Sequence, residues 1–426
     1  MANTSSGKRS EEGTAQRGGA LAGLRILDFT RFYSGPFATL LLAGYGAEVI
    51  RIDRPAEGEP AMSGPPFYGS EGVSLDRQDE RDLGLAYLKR CRGKKAITLD
   101  FARPEGMRLF HELLRTADVV VENFRPGVAD KLGVGYEQNA KINPRIIHCA
   151  ITGYGSTGPD ANLKAYDLMV QADSGLMSIT GNPEGPPRKA GSALADGISG
   201  AFAVSGILAA VVERQRSGVG QFVDVAMTDC LVSLVLDEPL DCYERFGLAP
   251  RQGNRIMRFS PFDTFETADG DIAIGCATNT EWRALLTAID RRDLEADANF
   301  MNTGWRVANV KAVNAIVAQW TRVHTTDEVL DALRRHDVPA SPIRTINDLM
   351  TWDHLRERRM LEDVAHPVVG SPHPAIAAGF PVKLSRTPGG YQRGAPSLGQ
   401  DNEEIYAGAL GIEGDALRAL KDNGVI

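Results

Sequence analysis

Short β-branched runs alternate with stretches of helical period through the first third of the chain. Residues 24–29 and 47–52 read as strands and residues 35–45 between them as a helix, so the pattern begins as βαβ. Further strands are expected at 95–101, 118–123 and 145–152, and Pro104 opens a helix that runs to Thr116. Such alternation predicts an α/β fold with a Rossmann-like parallel sheet. Ligands of these sheets sit beyond the carboxyl ends of the strands, here near Thr30, Asp53, Asn123 and Gly153.

Further along, a Gly/Pro-rich stretch beginning at Thr180 leads into an apolar helix over 196–214, rich in Gly and Ala and therefore suited to close backbone packing. A second helix is predicted over 229–246. Around Pro261 the pattern changes to a strand pair, 262–267 and 271–276, turning at Ala268-Asp269-Gly270, followed by helices at 281–289, 307–322 and 326–336. The expected organisation is a disordered tail (1–20), a large Rossmann-like domain (21–228), a linker helix (229–254), a smaller α+β domain (255–355), and a Pro/Gly-rich return (356–426) completing the large domain.

Composition narrows the classes. The formal charge of −8 disfavours a general polyanion binder, so no nucleic-acid partner is expected. The cysteines number five, are scattered, and form no CxxC pair, which fits reduced thiols in a cytoplasmic protein and no metal site. The N-terminus lacks the apolar core of a signal peptide, and no uninterrupted apolar run is long enough to suggest a bilayer span.

Candidate chemistry is sparse. No Walker A, GxSxG or HExxH motif is present, and Gly44-Tyr45-Gly46 is followed by Val49 where a dinucleotide fingerprint needs its third glycine. Asp196 opens the small-residue helix, where the helix dipole would favour its ionised form; the commoner role of such a residue is to cap. Tyr166 and Asp167 lie near the ligand-binding edge, and a buried tyrosine with a satisfied hydroxyl is the plainer account of them. Arg31, Arg54, Arg92, Lys94, Lys95, Arg125 and Lys131 recur near strand ends, as a phosphate-bearing ligand would require and as scattered surface charge would also produce.

Four segments, Leu21-Ala-Gly-Leu-Arg-Ile-Leu-Asp-Phe-Thr-Arg, Gly46-Ala-Glu-Val-Ile-Arg-Ile-Asp-Arg-Pro, Val121-Glu-Asn-Phe-Arg-Pro-Gly and Ile151-Thr-Gly-Tyr-Gly-Ser-Thr-Gly-Pro, together resemble the class III (CaiB/BaiF, formyl-CoA transferase-like) CoA transferases. The resemblance continues through Gly191-Ser-Ala-Leu-Ala-Asp and Ser217-Gly-Val-Gly-Gln to Ala395-Pro-Ser-Leu-Gly. It implies that Asp196 is a nucleophile forming a mixed anhydride and then an aspartyl-CoA thioester. It also implies that Arg31, Phe32, Tyr33 and Ser34 line the thioester region, Arg54 meets the CoA phosphates, Leu99 and Phe101 flank the adenine, and Asn123, Phe124, Lys131 and Lys164 contact CoA. Acyl-CoA and a small carboxylic acid would then be substrates, with no tightly bound cofactor, and the chain would form an intertwined homodimer. The overall look is closest to the succinyl-CoA-dependent dicarboxylate transferases. Two alternatives stay open: a racemase acting on 2-methylacyl-CoA, which resembles this chain but carries histidine where Tyr166 stands, and a CoA-binding protein without chemistry. Tyrosine, with an ordinary pKa of ~10, is a poor base at neutral pH, which favours transfer.

Overall fold

Residues 19–426 are described by a computed structural model, so the expected tail at 1–20 lies outside the described residues except for its last two positions. Six strands form the main sheet: β1 (Arg25–Asp28), β2 (Glu48–Asp53), β3 (Lys95–Thr98), β4 (Val119–Glu122), β5 (Ile147–Thr152) and β6 (Phe222–Ala226). All neighbours pair in parallel, in the order β3-β2-β1-β4-β5-β6. The sheet is buried on both faces, which is why Ile26 and Leu27, pointing opposite ways from β1, are both inaccessible and why every residue of β5 is buried. β6 was not foreseen: its five residues include Asp224 and a half-exposed Val223, so it lacks the continuous apolar run of the inner strands.

Helices α1 (Ser34–Gly44), α2 (Pro104–Thr116), α3 (Asp167–Asp173), α4 (Leu194–Ser217) and α5 (Met227–Val235) connect or flank these strands. α2 is strongly amphipathic and sends Leu109, Phe110, Leu113 and Leu114 into a core shared with Leu27, Ile50, Ile97 and Val120. α4 is, by length and composition, apolar enough to cross a membrane, although it holds no long uninterrupted apolar run: its glycines and serines break the run without breaking the helix. One flank of it is buried here through Ala203, Val204, Ile207 and Ala210.

The helix predicted over 229–246 is broken. α5 ends at Val235, and Pro239, which can neither donate an N–H nor follow a helical residue without a clash, separates it from a short turn at Leu240–Tyr243.

The chain divides into two compact units. One takes in the described chain to Gln171, then Ser192–Ser233 and His354–Ile426; the other takes in Ala172–Gly191 and Leu234–Asp353. The second unit therefore begins twenty-one positions before the expected boundary at 255 and adds 172–191, which the sequence reading had left in the large domain. It is built on the antiparallel sheet β7 (Phe262–Glu266), β8 (Asp271–Gly275) and β9 (Ala340–Pro342), covered by α6 (Asn279–Ala288), α7 (Val310–Thr321) and α8 (Thr326–Arg335) around a buried Trp282. In the first unit the return segment ends in α9 (Asn402–Leu410) and α10 (Gly414–Asp422), whose Ile405, Tyr406 and Leu420 join the core beneath α2.

Candidate active site

Strand order reverses between β1 and β4, so the crevice beyond their carboxyl ends is where such a sheet binds a ligand. The turn after β1 fills one side of it, and side chains from four directions fix that turn. Asn123, just after β4, reaches across the crevice: its Oδ1 accepts from the Arg31 N–H at 2.8 Å and its Nδ2 donates to the Arg31 carbonyl at 2.8 Å. Phe32 is held in left-handed backbone geometry, φ 64°, which costs on the order of 1–3 kcal/mol for a residue of this kind. Both of its backbone groups are taken: the N–H donates to Glu59 Oε1 at 2.7 Å, and the carbonyl accepts from Arg90 Nη1 at 2.9 Å. Beneath the turn, Lys94 Nζ joins Asp28 Oδ2, Thr39 Oγ1 and the Pro36 carbonyl, tying the end of β1 to the first turn of α1. Burial by itself would raise the Asp28 carboxyl, but Lys94, Arg51 and the Thr30 and Thr39 hydroxyls together outweigh it and hold it below the usual carboxylate range.

Opposite this turn lies the start of α4. Asp196 is the third residue of the helix, not its cap; the cap position is Ala193, which has no capping side chain. The capping is done from outside. Asp167 Oδ1 accepts from the Ala195 N–H at 2.8 Å and, at 3.4 Å, from that of Asp196, while Gln171 Nε2 donates to its Oδ2 at 2.6 Å. With the orphan N–H groups served by Asp167, the Asp196 carboxylate is left for other work.

The helix is brought to the turn by Gly200. A Cβ there would sit 2.8 Å from the Ser34 carbonyl oxygen and 3.0 Å from the Phe37 ring, so only a glycine lets α4 lie this close to α1. As a result the Ser34 N–H and hydroxyl face the Asp196 carboxylate. Its pKa is nevertheless pushed up, to about 6: burial is the largest cause, the like charge of Asp167 adds to it, and Arg90 and the Ser34 donors pull it back. This is the reverse of the dipole-favoured ionisation expected from the sequence, although a group of this pKa is still roughly nine-tenths ionised at neutral pH. A carboxylate of raised basicity in a desolvated pocket is a better nucleophile than one in water.

Asp196 opens into a cavity of about 330 Å³. Of the residues singled out from the sequence, Phe32, Tyr33, Ser34, Asn123, Phe124, Arg125, Lys164 and Tyr166 line it with Asp196, and the Arg31 guanidinium lies 5.9 Å from the centre of the Phe124 ring. Tyr166 is largely exposed and stands edge-on to Phe32, so the plainer reading of a buried, satisfied tyrosine does not hold. Arg54 and Lys131 lie apart from this cavity, exposed, with Arg54 paired to Glu57.

The Leu99 side chain is wholly buried in the core among apolar neighbours and does not face the cavity, whereas Phe101 packs edge-on to Phe29 and Phe110 at the margin of that core. Lys94 is inaccessible beneath the turn, Arg92 is buried against Glu362, and Lys95 pairs with Glu48 and Glu404, so none of the three lines the cavity. The sequence reading missed Arg90, Glu59 and Gly200. Arg90 was hidden in the basic run from Lys89 to Lys95, whose members point in different directions once the chain passes from the short helix Leu85–Arg90 into β3.

The sequence matches the family described as CoA-transferase family III over residues 21–402. It is 38% identical to succinyl-CoA:mesaconate CoA-transferase of Haloarcula hispanica over 91% of this chain and 96% of that protein. It is 35% identical to succinate–glutarate CoA-transferase of Agrobacterium fabrum, covering 92% and 96% of the two chains. Among solved structures, a CaiB/BaiF family protein from Brucella suis superposes with a TM-score of 0.77 at 32% identity, covering 92% of this chain and all of that one.

Proposed function

This chain belongs to the class III CoA-transferases, and from that premise we propose that it moves CoA from succinyl-CoA to a dicarboxylic acid with Asp196 as the nucleophile. The observation that carries the reading is an Asp196 carboxylate freed from capping by Asp167, raised in basicity, and facing an open cavity at the switch point of the sheet. Relatives named for mesaconate, glutarate, D-citramalate and oxalate all handle acids with two carboxyl groups, which supports the acceptor class.

In the proposed sequence an Asp196 oxygen attacks the thioester carbonyl, the C–S bond breaks, and CoA leaves as thiolate from an aspartyl mixed anhydride. The thiolate then attacks the aspartyl carbonyl, releasing the donor acid as its carboxylate and leaving CoA in thioester linkage to Asp196. An incoming carboxylate repeats the two exchanges in reverse. Start and end are both thioesters of similar energy with the less stable anhydride between them, and no proton has to be moved. That suits a site in which the charges acting on the nucleophile are those of Asp167 and Arg90. Racemisation by contrast requires a base at the α-carbon, and Tyr166 is the wrong group for it.

Incubation with succinyl-CoA followed by intact-protein mass spectrometry should show a hydroxylamine-sensitive CoA adduct on the wild-type chain and none on Asp196→Asn. An adduct that persists in that variant would remove Asp196 from the role.

A further inference from the structure

Arg90 ends a short helix, Leu85–Arg90, and its guanidinium lies over the Tyr33 ring, 3.9 Å from the ring centre. The Tyr33 hydroxyl in turn lies beside Gly197: a Cβ built on that glycine would be 3.9 Å from it. Arg90 is thus stacked on the ring that touches the residue next to the nucleophile. Of its five N–H donors one is used, by the Phe32 carbonyl, while the Asp196 and Glu59 carboxylates act on it through their charge. A half-buried arginine that is stacked and anchored by one donor keeps its remaining N–H groups for an anion.

Charge balance makes the same point. The cavity already holds Asp196 with Asp167 behind it, two carboxylates whose mutual repulsion is visible in the raised Asp196 group. A dicarboxylate bound for transfer presents one carboxyl to Asp196 and keeps the other ionised, so a third negative charge must enter a partly desolvated space. That is unfavourable unless a fixed cation meets it. Arg125 and Lys164 line the cavity, but both are exposed and free to follow the phosphates of CoA, whereas Arg90 stands against the Tyr33 ring that forms part of the cavity wall. Arg90 is the cation that acts on Asp196 and is fixed by packing.

We infer that Arg90 is the specificity-determining residue that binds the non-reacting carboxylate of the acid, in donor and acceptor alike. The inference rests on the transferase reading and names the substrate feature that the site selects. Planarity matters: an arginine fork can take a carboxylate through two parallel N–H bonds while remaining stacked, which a lysine ammonium cannot do.

The test compares Arg90→Lys and Arg90→Gln with the wild-type enzyme, using succinyl-CoA and acetyl-CoA as donors and paired acceptors of equal length, such as glutarate and pentanoate. Free CoA affinity and melting temperature are measured alongside. We expect the ratio of kcat/KM for dicarboxylate over monocarboxylate to fall at least about tenfold in both variants, mainly through KM for the acid, with the affinity for free CoA unchanged. Equal losses on both kinds of acid would mean that Arg90 only holds the Phe32 turn, and a weakened affinity for free CoA would make it a CoA contact; either result overturns the inference. If the wild-type enzyme itself prefers monocarboxylates, the dicarboxylate reading fails before the variants are compared.

Discussion

Asp196 shows how two neighbours set the working range of one carboxylate. Burial and Asp167 raise its pKa to about 6, and only the ionised form attacks, so kcat/KM should rise about tenfold per pH unit through the range below 6 and level off above it. Replacing Asp167 by Asn removes the like charge while keeping an oxygen to accept from the Ala195 N–H, so the Asp196 group should titrate lower and the acid limb should move toward lower pH by up to about one unit. A pH profile of kcat/KM for the two enzymes checks the sign; a limb that stays in place or moves upward would show that Asp167 does not act through its charge. At this scale the sequence was legible in part. The motif resemblance pointed to Asp196, but its N-terminal position in an apolar helix is just as natural for a cap. What separates the two roles is an acceptor supplied from twenty-nine residues away, which no local pattern reveals.

At the scale of elements, the site is a meeting of two helix starts, α1 and α4, and their separation is set by one missing side chain. Within a helix, alanine is favoured over glycine by about 1 kcal/mol, so a Gly200→Ala change would stabilise α4 if the position were open. It is not open, because the new methyl would press on the Ser34 carbonyl. The expected outcome is therefore a net loss of about 1–3 kcal/mol in urea unfolding, together with a fall in kcat of about ten- to a hundredfold as Ser34 and Asp196 are pushed apart. A variant that is more stable and fully active would show that the helices can part without cost. The sequence did announce a small-residue helix able to pack closely, and the long strongly periodic elements fall near where their patterns put them, with Pro104–Thr116 matching at both ends. It could not say which glycine makes the contact. The phase change between helix and strand at residues 90–95 also sent Arg90 to the turn after β1 and Lys95 to Glu48 at the start of β2.

For the molecule as a whole, the return of the chain after the second unit solves a problem created by the strand order. β3 lies at the edge of the sheet, and an unpaired edge leaves a row of backbone donors and acceptors without partners. The returning segment meets them one by one. Asp401 accepts from the Ala96 N–H through Oδ2 at 2.7 Å and donates its own N–H to the Ala96 carbonyl at 2.9 Å. Asn402 accepts from the Thr98 N–H at 2.9 Å and donates to the Thr98 hydroxyl at 2.8 Å, and the Tyr406 hydroxyl donates to the Thr98 carbonyl at 2.8 Å. No strand pairing takes part, so nothing in the hydrophobic pattern of residues 395–410 announces this role. Because buried backbone groups left without partners cost more than the bonds themselves contribute, Asn402→Ala should destabilise the chain by about 1–3 kcal/mol, and Tyr406→Phe, which strands only one carbonyl, by about 1–2 kcal/mol. The damage should reach the active site only through stability: neither residue lines the cavity around Asp196, so kcat measured well below the melting temperature should stay near the wild-type value while the urea midpoint drops. A lowered kcat at unchanged midpoint would mean instead that the β3 edge is coupled to the nucleophile, and that the return segment shapes the site as well as closing the sheet.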